Sequence, residues 1–206
     1  MSLWGRLFAA GYDTFMWRSE RAGLRARRRS LLSEVGGRVL EIGGGTGANL
    51  GFYDDRVEEL VIAEPEEPMA RRLERKLRKA PPRAQVVRAG AEELPSEDGA
   101  FDYVVSTLVL CTVRDPVRAL GEVRRVLKPG GQLLFLEHVR SDDPRVARWQ
   151  DRLNFMQNRI GHGCNCNRRT LENIQQAGFS IVRVEHDRVP KAPPIVRPLI
   201  VGAASA

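Results

Sequence analysis

The sequence predicts an α/β protein with a Rossmann-like, doubly wound, mostly parallel sheet covered by helices on both faces. Short β-branched runs alternate with longer charged, amphipathic stretches along the chain. The run VLEIGGGTGAN, residues 39–49, reads as a buried strand ending in a tight glycine turn that opens a helix. The next strand, VIAEP, closes on an acid, Glu64. A length of 206 residues suits one sizeable core and leaves no room for a separate substrate domain.

Taken in order, residues 2–34 read as helical, with Arg18, Arg21, Arg25, Arg27, Arg28 and Arg29 crowding the second half. Strands follow at Arg38 to Ile42, Glu59 to Ala63, Gln85 to Ala89, Tyr103 to Ser106 and Gln132 to His138. Helices fall between them at Ala48 to Tyr53, Pro65 to Lys79 and Pro116 to Leu127, the last stopped by Pro129, Gly130 and Gly131. Residues 141–166 interrupt the alternation. A helix at Arg169 to Ala177 and strands at Ile181 to His186 and Pro198 to Ala203 complete a set of seven strands.

With 42% hydrophobic and 29% charged residues, the composition is that of a soluble globular chain. No run of about eighteen apolar residues is present, and the start, MSLWGRLFAAGYDTFMW, is broken by Gly11 and Asp13. The expected compartment is the cytoplasm. A formal net charge of +7 invites an anionic partner. The basic residues are almost all Arg, however, and no helix-turn-helix, aromatic RNA-binding strand or basic repeat accompanies them, so nucleic acid is not the expected partner. Trp4, Leu7, Phe8, Phe15 and Trp17 beside the arginines fit a peripheral contact with an anionic membrane. Cys111, Cys164 and Cys166 make no disulfide framework and are expected as free thiols.

The glycine loop brings backbone N–H groups and a helix N-terminus to a ligand's polar or negative end. It reads as Gly43-x-Gly45-x-x-Ala48, a dinucleotide fingerprint, or as the acid-led pattern Glu41-x-Gly43-x-Gly45-x-Gly47. Glu64 suits an adenosine ribose under either reading. Glu41 favours the second, because a carboxylate inside that strand would pair with the ammonium group of a bound amino acid. A dehydrogenase would also need a Tyr-x-x-x-Lys or similar pair, and none is visible.

AGAEELP (residues 89–95), FDYVVSTLVLC (residues 101–111) and ALGEVRRVLKPGGQLLFLEH (residues 119–138) extend the pattern, and over residues 36–140 the chain resembles the class I S-adenosylmethionine-dependent methyltransferases, including the menaquinone and ubiquinone enzymes. The resemblance implies a seven-stranded sheet whose last strand is antiparallel to the rest, a helical cap over residues 1–35, and a catalytic domain over 36–206 with an acceptor-site insertion at 141–166. It implies that Glu41, Gly43, Gly45 and Gly47 hold the methionine part of S-adenosyl-L-methionine and that Glu64 holds the ribose. Pro65, Met69, Ala91 and Glu92 would surround the adenine, and Thr107 joins the cofactor set. At Gly90 the broad group often carries an Asp on the adenine amino group, a role left here to backbone or to Glu92. Tyr12-Asp13 resembles a pair in a helix that folds over the cofactor, where an aromatic face favours the sulfonium.

GTGANLGFY (45–53), STLVLCTV (106–113), LEHV (136–139), GCN (163–165) and VRPLIVG (196–202) are similar to the methyltransferase-like alkyl thiol methyltransferases. That likeness implies a small, fairly apolar acceptor with thiols leading; a quinone ring, phenol or lipid amine is the alternative, and a non-catalytic S-adenosylmethionine sensor is the reading from a different class. A thiol acts as its thiolate. His138, ending the fifth strand, is the candidate base, with His162 second. His162-Gly163-Cys164-Asn165-Cys166 lacks the spacing of a zinc knuckle or ribbon, so no metal is expected, and Cys111 reads as a packed core thiol. Trp149, Leu153, Phe155, Met156 and Ile160 in the insertion are read as an acceptor lid or as core.

Overall fold

The computed structural model describes residues 3–77 and 84–206, with backbone alone for residues 3–9. The expected extension of a helix to Lys79, and the side chains of Trp4, Leu7 and Phe8, lie outside the described residues. The seven strands are β1 (Gly37–Ile42), β2 (Val57–Ala63), β3 (Ala84–Val87), β4 (Phe101–Thr107), β5 (Leu127–His138), β6 (Ser180–Arg188) and β7 (Pro198–Ser205). They form one sheet in the order β3-β2-β1-β4-β5-β7-β6. β1 to β5 pair in parallel, while β7 runs antiparallel to both β5 and β6, as expected. Strand order reverses between β1 and β4, and ligands of open α/β sheets bind at the carboxyl ends beside such a reversal.

The helices are α1 (Leu3–Ser19), α2 (Arg25–Leu32), α3 (Glu67–Leu77), α4 (Pro116–Val126), α5 (Pro144–Ile160) and α6 (Thr170–Gln176); a π-helical turn, Glu20–Leu24, joins α1 to α2. Two core layers follow from the two-residue period of the strands. On one face Leu40, Val104, Leu133 and Phe135 pack with Leu120 and Val123 of α4 and Ile174 of α6. On the other Val39, Ile62, Val105, Leu134 and Leu136 pack with Leu31 and Leu32 of α2 and Leu73 of α3. The same alternation turns Glu41, Thr107 and His138 toward the α2 face.

Two expectations need correction. Residues 48–53 do not form a helix beyond one 3-10 turn, Leu50–Phe52. The Asn49 side chain is drawn into the interior and Tyr53 is extended to reach back to β1, so this stretch wraps the end of the strand. The insertion at 141–166 is mostly helix: Asp143 caps α5 by accepting from Arg145 N at 2.8 Å, and Pro144 occupies its first position. Of the five apolar residues read as lid or core, Trp149, Phe155, Met156 and Ile160 are not core, being all more than half exposed, while Leu153 is half-buried.

What anchors α5 is Gln150, which is fully buried. Its Nε2 donates to Val139 O (3.0 Å), Cys166 O (2.8 Å) and Ile195 O (2.9 Å), and its Oε1 accepts from Ser141 N at 2.8 Å. Gln150→Leu strands these groups and is expected to lower unfolding free energy by about 1–3 kcal/mol in chemical denaturation. Arg148→Ala on the exposed side of the same helix should stay within about 0.5 kcal/mol.

Candidate active site

The glycine loop sits at the carboxyl end of β1. Gly43 has φ 58°, and a Cβ there would lie 2.5 Å from Val109 Cγ2, so only glycine fits against the loop after β4. Gly45 has φ 55°, and a Cβ on it would meet nothing nearer than Gly43 O at 3.9 Å, which leaves a cradle open in front of the loop. Gly47 is also left-handed and completes the turn. Glu64, buried at the end of β2, clamps this loop: Oε2 accepts from Gly45 N at 2.7 Å and Oε1 from Glu66 N at 2.8 Å. Burial pushes its carboxyl above the usual range, and the two N–H donors oppose that.

The N-terminal helix reaches the same loop. Thr46 Oγ1 donates to Asp13, whose other oxygen lies 3.3 Å from Lys76 Nζ. Tyr12 is set among Arg28, Cys111, Glu20 and Asp13, and burial raises its phenol to about 12. Phe15 and Trp17, of the proposed membrane contact, are exposed, with Arg21 stacked 4.9 Å over the Trp17 ring. Among the described residues no helix is long and apolar enough to cross a membrane.

Beneath the loop runs a buried polar network that the sequence did not reveal. Asn49 Nδ2 donates to Glu41 Oε1 and to Thr107 Oγ1, each at 3.0 Å, and Tyr53 donates to Glu41 Oε2 at 2.7 Å. Arg28, 3% exposed, donates to Asn49 Oδ1 (3.0 Å), Thr107 Oγ1 (2.8 Å) and Glu20 Oε1 (3.0 Å). Burial lifts Glu41 from 4.5 to about 7, against the pull of Tyr53, Asn49 and Arg28. Asn49 and Tyr53 lie inside the quoted motif GTGANLGFY; nothing distinguished Arg28 from its five neighbours.

Toward β3, Met69 and Ala91 are buried and Pro65 is exposed. A Cβ on Gly90 would come 3.0 Å from Glu92 Oε2, so the Glu92 carboxylate stands where a side chain at position 90 would. Its other oxygen accepts from Arg114 N at 2.8 Å.

Toward β5 the organising group is Glu137, fully buried and not foreseen. Oε1 accepts from Ser106 Oγ (2.7 Å) and Val109 N (2.9 Å), and Oε2 from Cys111 N (3.3 Å). These bonds hold the turn after β4, in which Leu108 takes φ 63°. The end of the insertion locks onto that turn through Asn165 N to Cys111 O (2.8 Å) and Arg168 Nη1 to Val113 O (2.9 Å). Cys164 is thereby brought 3.7 Å from Cys111 Sγ and 3.5 Å from His138 Nδ1. Cys111 is the packed core thiol expected, and its sulfur also meets that of Cys164. The contacts of Cys164 with Cys111 and the imidazole draw the Cys164 thiol down to about 5, whereas sharing with Cys164 and burial push Cys111 up. His162 and Cys166 stand apart from this group: His162 Nε2 faces Glu66 Oε2 at 3.7 Å, and Cys166 is buried with its thiol raised to about 12.

The open space before Gly45, the buried carboxylate of Glu64 that clamps the loop and the buried Glu41 near the end of β1 lie at the carboxyl edge of the sheet, where ligands of open α/β folds bind. A family model described as a methyltransferase domain matches residues 40–135. Thiol S-methyltransferase TMT1A of Homo sapiens is 35% identical over 178 residues, covering 81% of this chain and 69% of the relative. Thiol S-methyltransferase TMT1B of Homo sapiens is 34% identical over 193 residues, covering 88% and 79%. Among solved structures, an S-adenosylmethionine-dependent methyltransferase from Thermotoga maritima superposes with a TM-score of 0.70 over 97% of both chains at 21% identity, a likeness of fold. The chain belongs to the class I S-adenosylmethionine-dependent methyltransferases, with thiol S-methyltransferases among its relatives, and S-adenosylmethionine is its cofactor.

Proposed function

We propose that this methyltransferase acts on a small thiol. The observation that carries the reading is the group of Cys111, Cys164 and His138 beside the donor cradle, an environment suited to sulfur, in a chain whose relatives include enzymes named for thiol S-methylation. When bound, S-adenosylmethionine supplies an electrophilic methyl on a sulfonium, so the chain's tasks are alignment, exclusion of water and handling of the acceptor's proton.

Gly43, Gly45 and Gly47 give the methionine end a close backbone approach, and Glu41 faces its ammonium. Glu64 accepts from the ribose hydroxyls while it steadies Gly45. Pro65, Met69 and Ala91 enclose the adenine, and Glu92 takes over the role that Gly90 cannot perform. Tyr12 and Thr107 border the sulfonium, with Asp13 tying α1 to the loop through Thr46. On the acceptor side His138 promotes loss of the thiol's proton.

Incubating the protein with labelled S-adenosylmethionine and a panel of alkyl thiols, quinols, phenols and lipid amines should label the thiols; transfer confined to any other class overturns the thiol assignment. Glu64→Ala should weaken donor binding by roughly 1–3 kcal/mol in calorimetry, the loss of charge-assisted bonds. Glu41 gives a pH test. Its folded pKa, near 7, stands above the 4.5 of a free carboxyl, so the native state keeps a proton that the unfolded chain releases. Stability should therefore fall between about pH 4.5 and 7, by on the order of 3 kcal/mol, while donor affinity rises as the carboxylate forms to meet the ammonium. Thermal melts and calorimetry across that window should show both slopes, and Glu41→Gln should flatten the affinity slope and reduce the stability slope to the part left by Glu64 and Glu137, whose carboxyls burial also raises.

A further inference from the structure

We propose that Cys111, His138 and Cys164 form a binding site for a soft divalent d-block cation of the Zn2+ type, three protein ligands with a fourth position left open. Their donor atoms all lie within 4.8 Å of one another, and they form the ligand-type cluster found among the described residues. Zinc bonds of about 2.3 Å to sulfur and 2.0–2.1 Å to nitrogen make the edges of a tetrahedron about 3.5–3.8 Å long. Two of the three edges match, 3.7 Å from sulfur to sulfur and 3.5 Å from the Cys164 sulfur to the imidazole nitrogen. The third, from Cys111 to His138, lies within 4.8 Å, and drawing it in to the length of the other two completes the face that the cation would cap.

Three separate segments supply the ligands, and each is fixed by its backbone. Cys111 is held on both sides, its N–H on Glu137 Oε2 and its C=O on Asn165 N. His138 ends β5, paired with Leu199 of β7, and its carbonyl accepts from Thr170 Oγ1 at 3.3 Å. Cys164 closes a turn by donating to Gly161 O at 3.2 Å. Such prior placement is what a metal centre needs, since ligands held before binding lose little freedom on binding. The sequence hid the site because its members lie 27 and 26 residues apart; the adjacent H-x-C-x-C run contributes only Cys164.

Three ligands and an open vertex describe a reactive centre more than a purely structural one, which usually closes with four. Resting on the thiol reading, the cation gives His138 its means of action. The acceptor's sulfur takes the open position as its proton leaves to solvent. The new S–CH3 bond then forms as the donor's S–CH3 bond breaks, with that electron pair remaining on the donor's sulfur.

The test uses the reduced full chain, titrated with Co2+ and with Zn2+ in the presence of a non-chelating phosphine reductant. The expected result is one ion per chain, with a thiolate-to-cobalt charge-transfer band. Cys111→Ser and Cys164→Ser should each weaken binding by more than the roughly 10–100-fold that loss of an outer partner costs, while Cys166→Ser keeps it. Absence of stoichiometric binding by the unaltered protein, or equal loss in Cys166→Ser, overturns the site. If the ion binds yet no thiol is methylated, the thiol reading falls and the metal site stands; if thiols are methylated by ion-free protein at an unchanged rate, the activating role falls.

Discussion

A carboxylate taken out of water must find donors, and at three strand ends that requirement shapes the loops of the site. Glu41 on β1, Glu64 after β2 and Glu137 on β5 are each 5% exposed or less. Their donors come from the segments that have to be placed: Asn49 and Tyr53 for the first, Gly45 and Glu66 for the second, Ser106, Val109 and Cys111 for the third. The desolvation cost of each acid is offset only when its loop is folded. Loop geometry and carboxylate burial are therefore one cooperative event.

The surplus of arginine has the same character. Arg28 lies inside, joined to Glu20, Asn49 and Thr107. Arg27 pairs with Asp187 of β6, Arg25 and Arg29 stack over the Phe52 ring, and Arg168 binds carbonyls of the turn after β4. A planar guanidinium with five donors can tie several loop carbonyls at once, which an ammonium cannot. Within residues 18–29, Arg27 and Arg28 thus hold the helical entry and the loops, while Arg18, Arg21, Arg25 and Arg29 are exposed.

The parts of the fold that were legible in the sequence are those set by local chemistry. Residues 39–49 carry their own strand, turn and acid, and Glu64 follows at the distance one crossover requires. The helix expected from Pro116 does start there, capped by Asp115, which accepts from Val117 N and Arg118 N at 3.0 Å. The rest depended on partners distant in the chain. Residues 48–53 have helical composition, but Asn49 and Tyr53 are more strongly required at Glu41 than in another turn of helix. The insertion broke the alternation because the residue that docks it, Gln150, is polar, while large apolar residues share its exposed side with arginines, so no clean apolar stripe marks the buried face. Cys111, His138 and Cys164 carried no joint signal, since only the sheet and the turn fixed by Glu137 make them neighbours.

That turn, residues 108–113, connects the glycine loop with the cysteine pair. Thr107 at its start belongs to the network under the donor cradle, Val109 fills the space beside Gly43, and Cys111 faces Cys164. Glu137 holds all of it from below through two backbone N–H groups and Ser106. An amide in its place would turn one donor toward those N–H groups, so the turn would shift as a unit. The donor cradle and the sulfur side would then change together, although Glu137 touches neither ligand. One turn held on one buried acid thus joins the glycine loop to the pair of thiols.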